Sequence, residues 1–201
     1  MMATPSHGWA QTAGNPEQAA PDLRQEAVDA LLREAMEMVE VGDYAKAEPI
    51  FAKTLVLLRS MHPQTHPDLL ATLNNHAFVL SQLGRLEEAA GLHQQVLTGK
   101  RALYGERDPS TLTSMNNYAA VLTALGRLGE AETLLAETLR LRRTISGEMD
   151  ADTVLSINNY GMILGAMGRL REAASFYAEA LDISDRLLGP DHPYTMGSLN
   201  N

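Results

Sequence analysis

The stretch LNNHAFVLSQLGRLEEA, Leu73 to Ala89, decides the fold. Leu73, Ala77, Leu80 and Leu83 recur at steps of three and four, which places them on one apolar face of a helix. The run stops at Gly84, a residue that readily takes the left-handed backbone conformation that ends helices. A second apolar pattern opens at about Leu86 and runs to Leu103, with Ala89, Ala90, Val96 and Leu97 turned inward, and Gly105 closes it. The unit is two helices joined by a glycine turn.

The unit repeats. Asn74-Asn75, Asn116-Asn117, Asn158-Asn159 and Asn200-Asn201 stand 42 residues apart. Gly42, Gly84, Gly126 and Gly168 keep the same step, as do Ala47, Ala89, Ala131 and Ala173. Several markers sharing one period without an insertion specify a solenoid or array. In Asp108-Pro109 an acidic cap precedes a proline that fits a first turn, and His66-Pro67 and Asp191-His192-Pro193 open their units in the same way. Ala77, Ala119 and Gly161 share one repeat position, where a small side chain lets two helices approach closely. The spacing predicts eight full helices between Asp22 and Leu188, a short ninth after Asp191, and no strand.

Composition narrows the functional classes. The chain has 201 residues, 45% of them apolar, and a formal net charge of -9. That charge argues against nucleic acid or an anionic membrane surface as the main partner, because both select a basic patch. Cysteine is absent, so disulfides and thiolate metal sites are excluded. No apolar run approaches the ~20 residues needed to span a bilayer. Residues 1–21 are rich in Ala, Pro, Gln and Gly, carry no helical apolar stripe and show no recognisable signal peptide. They read as a disordered leader, residues 22–201 as the repeat domain with four full repeats and the start of a fifth, and the location as cytoplasmic.

The pattern resembles the tetratricopeptide repeat, in which large and small residues alternate on the first helix and Ala precedes an aromatic on the second. Here those positions hold Leu73, Ala77, Leu80, Ala89 and His93, and in the fourth unit Ile157, Gly161, Leu164, Ala173 and Tyr177. The long period, "LNN" and "LGPDHPYT" are similar to the kinesin-light-chain subtype. The resemblance implies an all-α, right-handed α-α superhelix whose first helices line a concave face. It also implies a non-catalytic module that binds a peptide segment of a partner protein. The alternative is a regulatory or sensor repeat domain of a larger multidomain enzyme.

On that concave face the resemblance places Ala71, Asn75, Phe78 and Gln82, then Thr113, Asn117, Ala120 and Ala124, then Leu155, Asn159, Met162 and Ala166. The first unit differs, with Asp29, Arg33, Met36 and Glu40. Asn75, Asn117 and Asn159 resemble a ladder of amides able to hold the main chain of an extended peptide, because each offers donors and an acceptor. Bonding between repeats would satisfy the same amides equally well. Phe78 and Met162 would supply apolar pockets, and Arg33 is the stripe's only cation. Asn74, Asn116 and Asn158, one residue earlier on the helix, are expected to bond to the adjacent repeat.

No catalytic motif, phosphate loop or H-E-x-x-H pattern occurs, and neither a cofactor nor a metal is expected. His62 and His66 lie in a proline-broken turn unsuited to a helical metal pair. His76 and His93 read as hydrogen-bonded packing, and Glu87, Glu88, Asp182 and Asp185 as solvated helix faces. The array halts at Asn201, at a point where each earlier first helix continues. The expectation is an open end, covered by further sequence or by self-association with a second copy.

Overall fold

The structure, a computed structural model, describes residues 16–189. Eight helices follow one another there: α1 (Pro16–Glu40), α2 (Tyr44–Met61), α3 (Pro67–Gln82), α4 (Leu86–Tyr104), α5 (Pro109–Ala124), α6 (Leu128–Ile145), α7 (Ala151–Ala166) and α8 (Leu170–Leu188). No strand occurs among the described residues. Consecutive helices pack on one another, and contact between non-consecutive helices is slight, as between α5 and α7. This is the local, nearest-neighbour packing of an α solenoid. Helix α1 begins at Pro16, upstream of the expected start at Asp22. Residues 1–15 of the expected leader, and the expected helix after Asp191, lie outside the described residues.

The turn chemistry is repeated with the period. Gly84 takes a φ of 76°, and the amide of Arg85 reaches back to the Leu80 carbonyl at 2.9 Å. The same pair of features closes α5 and α7. The first helices are capped by side chains: Asp108 Oδ1 accepts from the Ser110 amide at 2.8 Å, and Asp150 Oδ1 from Thr153 at 3.0 Å. His66 does the same for α3, its Nδ1 accepting from the Asp68 amide at 3.3 Å. One nitrogen of His66 is thus committed to the backbone, and its ring stacks on that of His62 at 3.7 Å.

The core follows the small-against-large pattern. Ala47, Ala89, Ala131 and Ala173 are all buried, and so are Ala77, Ala119 and Gly161 together with Ala35. Opposite them, one position on each second helix holds Phe51, His93, Leu135 and Tyr177. The fourth repeat shows why size must be balanced. A Cβ on Gly161 would lie 2.8 Å from the Tyr177 ring, so glycine there makes room for the largest partner.

Ion pairs link successive repeats. Arg85 bonds Glu48 at 3.0 Å, and Arg169 bonds Glu132, in both cases tying the turn of one repeat to the second helix of the repeat before. Arg127 holds the intervening position, but Ala90 stands where Glu48 and Glu132 stand. Its guanidinium bonds its own Glu130 at 2.7 Å. A second set of arginines, Arg101 and Arg143, pairs with Glu137 and Glu179 between α4 and α6 and between α6 and α8. Arg142, 4% exposed, bonds Asp152 at 2.7 Å and donates to the Pro109 carbonyl at 3.3 Å. It thereby joins α5, α6 and α7.

Candidate functional site

The stripe expected to face the groove stays accessible on α1, α3, α5 and α7. Phe78 is 43% exposed and Met162 55% exposed. Ala71, Gln82, Thr113, Ala120, Ala124, Leu155 and Ala166 are exposed as well. On the same helices Leu73, Leu80, Met115, Leu122, Ile157 and Leu164 are buried, so the stripe is a surface apart from the core.

Two clefts open along this surface. The larger, about 400 Å³, lies between α3 and α5 and is lined by Asn75, Phe78, Gln82, Asn117, Ala120 and Ala124, with Asn74, Ser81, Leu86 and Val121. The base of α4 contributes His93. The smaller, about 160 Å³, lies between α5 and α7 and is lined by Asn116, Ala120, Thr123, Asn159, Met162 and Ile163, with Leu135 below. Ala120 belongs to both, so the two are adjacent. Neither cleft is lined by a carboxylate, a lysine or an arginine.

The six expected contact residues therefore do not form one cluster. Asn75, Asn117 and Phe78 line the first cleft, and Asn159 and Met162 the second. Arg33 sits on a shallower surface of α1 with Asp29, Leu32, Met36, Glu37 and Glu40, where acidic neighbours outnumber it.

The asparagines are partly engaged across the seams. Asn117 Nδ2 donates to Asn74 Oδ1 at 3.2 Å, joining the third repeat to the second. Asn75 Nδ2 points to the Met36 sulfur at 3.8 Å, a weak contact with the first repeat. Asn74, Asn75 and Asn117 thus bridge repeats, whereas Asn116 Oδ1, expected to do the same, is enclosed without a partner. Each bridging amide still has capacity turned to the cleft, since an amide carries two donor hydrogens and an acceptor oxygen. Phe78 meets the Tyr44 ring edge-on at 5.9 Å, which steadies it from the first-repeat side.

The histidines divide. His76 Nε2 donates to Glu48 Oε1 at 3.3 Å, as expected of a bonded core histidine. Burial outweighs the pull of the Glu48 carboxylate and holds the His76 imidazole below its usual value. His93 departs from the expectation of hydrogen-bonded packing. It is 4% exposed, its Nδ1 is enclosed without a partner, and burial pushes its imidazole down to about 4. The signal was present in the sequence: a histidine occupies the place where the other repeats hold Phe51, Leu135 and Tyr177. Among the described residues no three potential metal ligands gather. Nor is any described helix long and apolar enough to cross a membrane.

A helical solenoid with an accessible stripe along its first helices defines a repeat module of the kind built for protein–protein interaction. The sequence matches the tetratricopeptide repeat over residues 36–102 and 68–144, and again over 153–194, and the chain belongs to the tetratricopeptide-repeat family. Its fold is of the kinesin-light-chain-like type. A Podosopora anserina putative kinesin light chain with nearly identical TPR-like repeats superposes with a TM-score of 0.74 at 20% identity, covering 86% of this chain and 82% of that one. BtubC (BKLC) from P. vanneervenii gives 0.73 at 23% identity, covering 90% and 72%. A Rap protein complexed with competence and sporulation factor gives 0.64 at 14% identity, covering 83% of this chain and 44% of that one. No curated protein matches by sequence.

Proposed function

We propose that the chain is a non-catalytic adaptor that binds an extended segment of a partner protein along the first-helix face, across the two adjoining clefts. The observation that carries this reading is the pairing of exposed apolar tips, Phe78 and Met162, with amides at Asn75, Asn117 and Asn159 on one accessible stripe. Amides recognise main chain whatever the sequence, and the apolar tips select side chains. Met162 adapts to varied anchors.

The clefts contain no fixed charge, so the ligand preferred is one with apolar anchors rather than an acidic tail. Few charges are screened when such a segment binds, and salt has little effect on affinity. The test is a screen of extended peptides against the intact chain at two salt concentrations, followed by measuring the tightest-binding peptide against the Asn159→Ala and Met162→Ala variants of the chain. Reduced affinity in both variants with unchanged helicity supports the reading. Binding that collapses with salt, or that ignores both substitutions, overturns it.

A further inference from the structure

The cleft between α3 and α5 ends on His93, and packing alone gives that side chain no use for its nitrogens. The same position holds Phe51, Leu135 and Tyr177 in the other repeats, so an apolar or aromatic residue satisfies the fold there. His93 packs with the core yet leaves Nδ1 enclosed and unpartnered. A buried polar atom without a partner is unfavourable and calls for a reason. No ionisable group bonds the ring, and burial alone sets its protonation, so it is neutral near neutral pH.

The tautomer follows. A proton on the enclosed Nδ1 would be a buried donor with no acceptor, which is rarer in proteins than an unfilled acceptor. The neutral ring therefore carries its proton on Nε2, and the ring lines the cleft. Phe78, Leu86, Val121, Ala120 and Ala124 supply the apolar part of the lining, and the amides of Asn74, Asn75, Gln82 and Asn117 with the Ser81 hydroxyl the polar part. At about 400 Å³ the space lies within the range that accepts a small organic group. No lysine or arginine lines the cleft, and Arg85, in the turn between α3 and α4, is already held by Glu48 and Glu88. A carboxylate tip would be stripped of water without a counter-ion.

We propose that this cleft takes a side chain with an aromatic body and an uncharged oxygen at its tip, and that His93 donates a hydrogen bond to that oxygen. A tyrosine-like group meets both conditions: its ring lies against Phe78 and its hydroxyl oxygen accepts from Nε2. The inference rests on the peptide-binding reading for the source of the group, and on the cleft itself for its chemistry.

The experiment titrates the intact chain with p-cresol and with toluene, which differ by that one hydroxyl, and follows the His93 ring nitrogens and the Phe78 and Val121 signals by NMR. The expected result is that p-cresol shifts His93 Nε2 and binds on the order of fivefold more tightly than toluene, the worth of one hydrogen bond. His93→Leu installs the residue that the next repeat carries at this position, Leu135, and so keeps the fold. In that variant the preference for p-cresol should vanish or reverse, because the hydroxyl is then buried without its donor. Equal binding to the unaltered chain, a preference that survives His93→Leu, or binding that never reaches His93 each overturns the inference. If p-cresol behaves as expected while the peptide screen fails, the cleft stands as a small-molecule site and only the peptide reading falls.

Discussion

Asn117 gives a side-chain hydrogen to Asn74 Oδ1, 3.2 Å away, so the second residue of one Asn pair is bonded to the first residue of the preceding pair. The bond lies at the wall of the larger cleft, and both partners line it. One interaction therefore spans the seam between two repeats at the edge of the opening between them.

Asn117→Ala removes that bond and leaves Asn74 Oδ1 without its partner. The expected cost is on the order of 1 kcal/mol of stability, measured by urea unfolding. Asn159 lines the smaller cleft, and Asn159→Ala is expected to change stability less than Asn117→Ala does. Equal losses in both variants would mean that the Asn74 bond has no special weight.

Stability should fall as pH drops below about 6.5. His93 titrates near 6.5 when unfolded but at about 4 when folded, because burial disfavours its charged form. Between those values the unfolded chain binds more protons, so stability is complete above the unfolded value and is lost as pH falls toward the folded one. His76 shifts in the same direction. The expected loss from His93 is on the order of 2 kcal/mol between neutrality and about pH 4.5. Urea titrations at several pH values should show a flatter profile for His93→Leu. An unchanged slope would mean that His93 is not buried neutral.

Gly161 and Tyr177 should be strongly coupled. A methyl group at 161 favours the helix by roughly 1 kcal/mol but meets the Tyr177 ring, and overpacking costs about 1–3 kcal/mol. Gly161→Ala is therefore expected to destabilise the chain on its own and to stabilise it when combined with Tyr177→Leu. A double-mutant cycle measures the difference, and additivity would show that the ring moves aside freely.

Arg142 is buried, and three helices depend on it. Arg142→Ala leaves the Asp152 carboxylate without its partner and takes one of two side-chain donors from the Pro109 carbonyl, which still accepts from the Thr113 hydroxyl at 2.9 Å. Because Asp152 is largely exposed, the loss should fall at about 2–3 kcal/mol, below that of a wholly buried pair. Thermal melts of Arg142→Ala and Asp152→Ala should show the arginine variant as the weaker of the two.

The repeat was legible because its markers are backbone requirements. A turn glycine, a side-chain cap and a small residue at a close approach recur at fixed positions, even where the letter changes, as from Asp108-Pro109 to Asp150-Ala151 or from Ala119 to Gly161. Helix α1 escaped that reading at its start. Its first residues, Pro16 to Ala20, follow helix-start and propensity rules but carry no apolar stripe, and the stripe alone placed the start at Asp22. The groove stripe was visible as a spacing. The partners of the asparagines were not, because Asn75 meets Met36 and Asn117 meets Asn74 only through the stacking of one repeat on another. His93 was readable as an aromatic stand-in, but its lack of a partner depends on which neighbours close around it.

Glu48, Ala90, Glu132 and Ala174 occupy one position in turn, so the carboxylate that clasps the next turn's arginine comes at every second repeat. The array has a parity that its backbone period does not reveal. Removing a single inner repeat would place two like members of this series side by side: two carboxylates, or two alanines facing arginines that keep only the glutamate of their own turn, as Arg127 keeps Glu130. Removing or adding repeats in pairs leaves the alternation intact. Engineered variants of this solenoid should therefore be shortened or lengthened two units at a time.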